Sequence, residues 1–120
     1  MLQSRILGIG VDITHVPRFQ ALYAKHGDRF LHRIFTEEEI AQAQLRLQKL
    51  QHQEEARAQF YASRWAVKEA CIKALGRGGI GTKCIFLKPS TQTSQDQVLP
   101  TAPKLVIKGA AKLLLDEHLR

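Results

Sequence analysis

The stretch Ser63-Arg64-Trp65-Ala66-Val67-Lys68-Glu69-Ala70-Cys71-Ile72-Lys73-Ala74 sets an indole, a carboxylate and an ammonium at successive four-residue steps: Trp65, Glu69 and Lys73. Apolar residues recur at helical spacing through Phe60, Trp65, Ile72 and Leu75, which predicts a helix. Residues four apart on a helix stack along one stripe. Taken alone, a packed Trp beside a surface Glu/Lys pair is the commoner explanation. A second carboxylate, Asp12, lies near the end of Arg5-Ile6-Leu7-Gly8-Ile9-Gly10-Val11-Asp12-Ile13, a run predicted to be a buried strand. Its alternate glycines allow another backbone or a ligand to come close. Asp12 also stands where it would cap a following helix, with Thr14 and His15 as competing caps, so both roles are open. Carboxylates brought from two elements are hard oxygen donors and suit Mg²⁺, which takes one or two of them together with substrate phosphates.

The charge balance fits an anionic partner. Eighteen Lys and Arg face eleven acids in 120 residues, a formal charge of +7, which favours nucleic acid, anionic lipid, a phosphorylated molecule or an acidic protein. The basic residues Arg29, His32 and Arg33 interleave with Phe30, Leu31 and Ile34, near Arg18 and Lys25. An ordinary solvated charged face is the plainer explanation of such a run. The turn Gly76-Arg77-Gly78-Gly79-Ile80-Gly81-Thr82-Lys83 resembles a P-loop only in its glycine interval, since Thr82 and Lys83 stand in reversed order and a helix precedes it. It still offers backbone amides and cations to a phosphate, or serves as a plain connection. The five His residues lack zinc-site spacing, and no nucleophile-elbow motif occurs. Cys71 and Cys84 make no Cys-x-x-Cys pair, which reads as two free thiols in a reducing compartment. No window has the apolar length of a membrane span, and Asp12 interrupts what would be a signal-peptide core.

These residues need elements to hold them. The chain length corresponds to a single domain over residues 1–120. A first helix is expected from Pro17 to Lys25, burying Phe19, Leu22 and Tyr23 and stopping at Gly27. A short helix over Asp28–Phe35 follows, with Asp28 as its cap. Thr36 and Glu39 fit a capping box that opens a helix carrying Ile40, Ala43, Leu47 and Leu50 inward. The long helix runs from about Glu55 to Leu75 and closes at Gly76. Strands are expected over Ile80–Leu87 and Lys104–Lys108, paired as a hairpin, with Ser90–Thr101 as an exposed loop. A last helix, Ala110–His118, is expected to bury Leu113, Leu114 and Leu119.

In order and spacing, several segments resemble the holo-[acyl-carrier-protein] synthase family of 4′-phosphopantetheinyl transferases. They are Gly8-Ile9-Gly10-Val11-Asp12-Ile13, Pro17-Arg18-Phe19, Arg29-Phe30, Phe35-Thr36-Glu37-Glu38-Glu39, Ser63 to Ala70, and Lys73-Ala74-Leu75-Gly76. The resemblance covers the chain from about residue 6 onward. It implies an α+β phosphopantetheinyl transferase fold, with a small antiparallel sheet packed against a long central helix. It also implies transfer of the phosphopantetheine arm of coenzyme A to a serine of an acyl carrier protein, releasing adenosine 3′,5′-bisphosphate, in support of fatty acid synthesis.

Carried over by position, the resemblance makes Asp12 and Glu69 ligands of Mg²⁺, and Glu69 and Lys73 catalytic. Lys73 is expected at the phosphates, with Gly76, Gly78, Gly79, Gly81 and Lys83 on coenzyme A. Arg18, Arg29, Phe30 and Arg33 are expected to meet the carrier protein. Either a magnesium-bound water or Glu69 accepts the serine proton. The family continues into further C-terminal strands that this sequence lacks, so a truncated domain with an incomplete sheet is expected. A homotrimer is implied, with neither membrane nor nucleic acid as a partner. The alternatives are an inactive truncated relative and a non-catalytic basic module binding an acidic protein or RNA. The context of Trp65 and the Gln-rich stretch around Gln42–Gln59 resemble fungal mitochondrial members, which leans towards the mitochondrion, with cytoplasm as the alternative.

Overall fold

The computed structural model describes Ile6 and residues 8–76, 80–94 and 97–119. Four helices come first: α1 (Val16–His26), α2 (Asp28–Ile34), α3 (Glu37–Leu47) and the 23-residue α4 (Gln53–Leu75). A 3₁₀ turn over Thr82–Cys84 leads into β1 (Ile85–Ser94) and β2 (Gln97–Ile107), and α5 (Gly109–His118) follows. The α+β architecture is the expected one, with a two-stranded antiparallel sheet beside a long helix.

Local chemistry explains most boundaries. Gly27 adopts φ 62° and separates α1 from α2, a conformation open to glycine at little cost. The expected capping box is present: Thr36 Oγ1 accepts from Glu39 N at 3.1 Å, and Glu39 Oε1 accepts from Thr36 N at 3.1 Å. Gly76 ends α4 in the left-handed conformation, φ 73°, donating its N–H to the Ile72 and Lys73 carbonyls.

Two apolar clusters divide α4 between them. Its first half packs with α1, α2 and α3 around Phe19, Leu31, Phe35, Ile40, Ala43, Leu47 and Tyr61. The Tyr61 ring lies 4.8 Å from Phe35 and 5.9 Å from Phe19, centroid to centroid. The last part of α4 packs against the hairpin and α5 through Leu75, Ile85, Ala111 and Leu114, with Cys71 and Ile72 alongside. At the junction, Lys68 on α4 is 0% exposed and pairs with Glu39 on α3, itself 1% exposed.

Several expectations are corrected. Residues 8–13 form no strand, because nothing among the described residues pairs with them and Ile9, Val11 and Ile13 face solvent. The glycines bind this segment to α4 instead. Ile80 is not in a strand and residues 82–84 form a 3₁₀ turn, so β1 begins only at Ile85. Residues 90–94 and 97–101 continue the hairpin instead of forming a loop. The register breaks between Lys88 and Ser90, at Pro89, while Pro100 stands opposite Thr91 in the ribbon.

The side-chain expectations need similar adjustment. Asp28 lies in the first turn of α2, whose cap position is Gly27, and accepts a hydrogen bond from Tyr23 Oη at 3.3 Å. Leu50 is exposed beyond the end of α3, while Ile40, Ala43 and Leu47 are buried as expected. On α5, Leu113 and Leu119 are exposed; Ala111 and Leu114 make the buried face, one helical turn apart.

Burial pushes the Tyr61 phenol up to about 12 from its ordinary value of 10.0, with Tyr23 adding to the effect. Folding therefore holds the Tyr61 proton where the unfolded chain releases it. The stabilisation is complete below pH 10 and is lost as pH rises through about 12. With only two tyrosines in the chain, Tyr23→Phe isolates Tyr61. Phenolate absorbance of that variant is expected near pH 12, together with loss of the helical circular dichroism signal; ionisation near pH 10 in the folded protein would contradict this burial.

Candidate active site

The stripe on α4 begins with Trp65, whose ring packs edge-on against Phe30 at 5.6 Å and Phe19 at 6.3 Å between centroids. Its indole Nε1–H donates to Glu69 Oε1 at 3.3 Å. One turn further on, Lys73 Nζ donates to Asp12 Oδ1 at 2.9 Å and to the Val11 carbonyl at 3.1 Å. The carboxylate partner of Lys73 is thus Asp12 and not its helix neighbour Glu69. Asp12 Oδ2 accepts from Thr14 Oγ1 at 3.5 Å. The capping role of Asp12 is excluded, since the N-cap of α1 is His15, with no side-chain cap bond.

Glycine sterics set the position of Asp12. A Cβ on Gly8 would fall 2.2 Å from the Ala74 carbonyl oxygen, and one on Gly10 would fall 1.9 Å from that of Ala70. Only a residue without a side chain lets the 8–12 backbone approach α4 this closely, so the expectation of a close approach holds. The Lys73–Asp12 pair is partly solvated, with side chains 55% and 18% exposed. Such pairs contribute about 0–1 kcal/mol, so the ion pair orients Asp12 more than it holds the segment down.

A groove of about 820 Å³ borders Trp65, lined also by Leu22, Lys25, His26, Arg29, Phe30, Arg33 and Thr82. Three of the four residues expected to meet a partner, Arg29, Phe30 and Arg33, come together here. Arg18 is exposed on α1 but does not line the groove. Lys83 is exposed, and Gly76 and Gly81 flank the glycine-rich turn; Gly78 and Gly79 lie outside the described residues. The groove is cationic and its floor partly aromatic, which suits an anionic ligand carrying apolar parts.

The sequence reading passed over Lys68. Its Nζ donates to Glu39 Oε1 at 2.6 Å, to the Thr82 carbonyl at 2.8 Å and to the Ile85 carbonyl at 2.7 Å, using all three ammonium hydrogens. Burial lowers the Lys68 pKa from its ordinary value, while the hydrogen bond and charge of Glu39 act in the opposite direction. A signal was available: Tyr61, Lys68 and Leu75 are seven residues apart, so Lys68 sits on the buried stripe of an otherwise amphipathic helix. A lysine there needs fixed partners.

Asp12 and Glu69 are the two carboxylates brought to neighbouring turns of one helix face. No group of three or more His, Cys, Asp and Glu suited to a metal occurs among the described residues. The donor set nevertheless fits Mg²⁺, which commonly takes one or two carboxylates and completes its shell with water and substrate phosphates.

Residues 8–105 match the family of the 4′-phosphopantetheinyl transferase superfamily. The chain is 40% identical over 115 residues to a holo-[acyl-carrier-protein] synthase of Ruegeria sp., covering 93% of this chain and 70% of that protein. A synthase of the same name from Wolbachia sp. is 44% identical over 98 residues, covering 76% of this chain and 79% of its own length. The match to that of Anaplasma phagocytophilum, 51% identical, spans 56% of the relative. Among solved structures, a Plasmodium yoelii acyl carrier protein synthase with ADP bound superimposes with a TM-score of 0.74 at 26% identity, covering 95% of this chain and 77% of that one. A holo-[acyl-carrier-protein] synthase from Neisseria meningitidis gives 0.67 at 28% identity, with 94% and 80% coverage.

Gly10→Ala is expected to lift residues 9–12 from α4 and release Lys73 from Asp12. Modification of Lys73 by a water-soluble amine-reactive ester, read by peptide mass spectrometry, should speed up towards the rate in Asp12→Asn. An unchanged rate would mean that the glycine contact does not hold Asp12 in place.

Proposed function

The chain belongs to the 4′-phosphopantetheinyl transferase superfamily, and from that premise we propose that it transfers the 4′-phosphopantetheine group of coenzyme A to a serine of an acyl carrier protein. The observation that carries the reading is the seating of Gly8 and Gly10 on α4, which brings Asp12 to the Glu69–Lys73 stripe beside a basic groove. Two carboxylates, a lysine and a cationic wall suit a substrate with a pyrophosphate and an adjoining organic arm.

In the reaction the serine oxygen bonds to the phosphorus that carries the pantetheine. The bond from that phosphorus to the bridging oxygen breaks, and adenosine 3′,5′-bisphosphate leaves with the electron pair. In this reading Glu69, whose Oε1 accepts from the Trp65 indole N–H, takes the serine proton. Lys73 gives one hydrogen to Asp12 and one to the Val11 carbonyl, and has one more to offer a phosphate oxygen. Asp12 and Glu69 would hold Mg²⁺, which when bound neutralises pyrophosphate charge and stabilises the leaving group.

Arg29, Phe30 and Arg33 form the surface assigned to the carrier, with Arg18 exposed on α1 as a further proposed contact. An acidic carrier would approach them with electrostatic steering, and association should weaken with salt. Service to fatty acid synthesis, a homotrimeric state and a mitochondrial location, with cytoplasm as the alternative, complete the proposal. The location rests on the context of Trp65 and the Gln-rich stretch around Gln42–Gln59. Among the described residues no helix is long and apolar enough to cross a membrane.

The test combines the protein with labelled coenzyme A, Mg²⁺ and apo acyl carrier protein. Label should move to the carrier serine, and Glu69→Ala or Lys73→Ala should slow transfer by about 10²- to 10³-fold without unfolding. Chelation of Mg²⁺ should abolish transfer and re-addition restore it. A folded preparation that binds the carrier but moves no label would identify an inactive relative and overturn the proposal.

A further inference from the structure

Lys68 lies next to Glu69 in sequence, but its side chain leaves about 100° further round the helix, into the junction of the two apolar clusters. We infer that Lys68 is a positioning residue of the transfer site, whose buried ammonium holds the Thr82–Ile85 segment, and so the Thr82 wall of the groove, in place against the Trp65–Glu69 turn of α4. This rests on the function proposed above. Lys68 is not a catalytic residue: with 0% exposure it touches no substrate.

Three elements meet on one nitrogen. Glu39 supplies the carboxylate from the capping box of α3, and Thr82 and Ile85 supply carbonyls from either side of the turn into β1. The Phe35 ring lies 5.4 Å from the same Nζ. Thr82 lines the groove with Trp65, Arg29 and Phe30, so the carbonyl held by Lys68 belongs to a groove-lining residue. The downstream end of the segment is fixed too, since Lys108 N donates to the Cys84 carbonyl at 2.9 Å. The upstream end is the exit of the glycine-rich turn, where Ile80 packs in the Leu75 cluster and the bond from Lys68 to the Thr82 carbonyl adds a polar tie to α4.

Packing alone does not call for a lysine here. An apolar residue of similar volume fills a buried site at lower desolvation cost than an ion pair. What an apolar residue lacks is the ability to bind two backbone carbonyls and a carboxylate at once. Glu39 holds its side of the arrangement with one oxygen, Oε1, which also accepts from Thr36. Removing the Lys68 ammonium strands both carbonyls and the buried Glu39 charge, and the most movable of the three partners is the turn segment.

The test uses the full chain with Lys68→Met and the charge-balanced pair Glu39→Gln/Lys68→Met, the second avoiding a stranded carboxylate. Amide hydrogen exchange is followed over residues 82–86, and coenzyme A and carrier protein binding are measured by calorimetry. The expected result is a folded variant with faster exchange confined to 82–86. Because Thr82 lines the groove assigned to the carrier and stands between Gly81 and Lys83, which are assigned to coenzyme A, affinity for both should fall, by about 10- to 100-fold. Should both variants fail to fold, Lys68→Arg keeps the charge but pushes the carbonyls outward with a larger head, and the same loss is expected. Wild-type protection at 82–86, or wild-type affinity for both ligands in a folded variant, overturns the inference. If the wild-type protein binds no coenzyme A, the proposed function fails, and the exchange result alone decides the role of Lys68.

Discussion

The arrangement depends on one buried ammonium. Lys68 stands where the α1–α3 cluster ends and the hairpin–α5 cluster begins, and its three hydrogen bonds reach α3, the turn at Thr82 and the start of β1. Breaking a buried pair by removing one partner costs about 3–5 kcal/mol, far more than a surface pair contributes. The two halves of α4 are therefore joined by a polar contact with little tolerance in its geometry, and the turn of helix carrying Glu69 lies directly beside it. The same contact accounts for a capping box that is buried: Glu39 serves as cap and as counter-ion through one oxygen.

A second constraint is steric. Gly8 and Gly10 let an extended segment lie against the carbonyls of Ala74 and Ala70, and Asp12 follows at the distance Lys73 can reach. The two constraints act on opposite sides of α4. Lys68 fixes how the helix meets the hairpin turn, and the glycines fix what lies along its Glu69–Lys73 stripe. Between them the helix presents two carboxylates and a lysine next to a cationic groove, which is the equipment for chemistry at a pyrophosphate.

Much of this was legible in the sequence because local chemistry announces it. The Thr36–Glu39 cap, Gly27, Gly76 and the periodicity of α4 each act within a few residues, and the glycines at 8 and 10 signalled a close approach. Residues 8–13 of the expected strand do not form one because apolar alternation describes a surface that needs a partner, and their partner here is a helix face met by glycines. The hairpin beyond Lys88 was hidden by polar residues and prolines. Leu113 and Leu119 were misassigned because either side of a short, leucine-rich helix reads as apolar, and only the packing of Ala111 and Leu114 selects the buried one. The spacing of Tyr61, Lys68 and Leu75 marks Lys68 as buried but not what it binds, since its partners are 14, 17 and 29 residues away.

The central claim is that Asp12 and Glu69 act as one site, assembled on α4 by the approach of residues 8–12. The most direct measurement is a double-mutant cycle on the rate of phosphopantetheine transfer with Asp12→Asn, Glu69→Gln and the pair. Groups acting as a unit are strongly non-additive. The double variant is therefore expected to be no slower than the worse single variant, and losses that multiply independently would contradict the shared site.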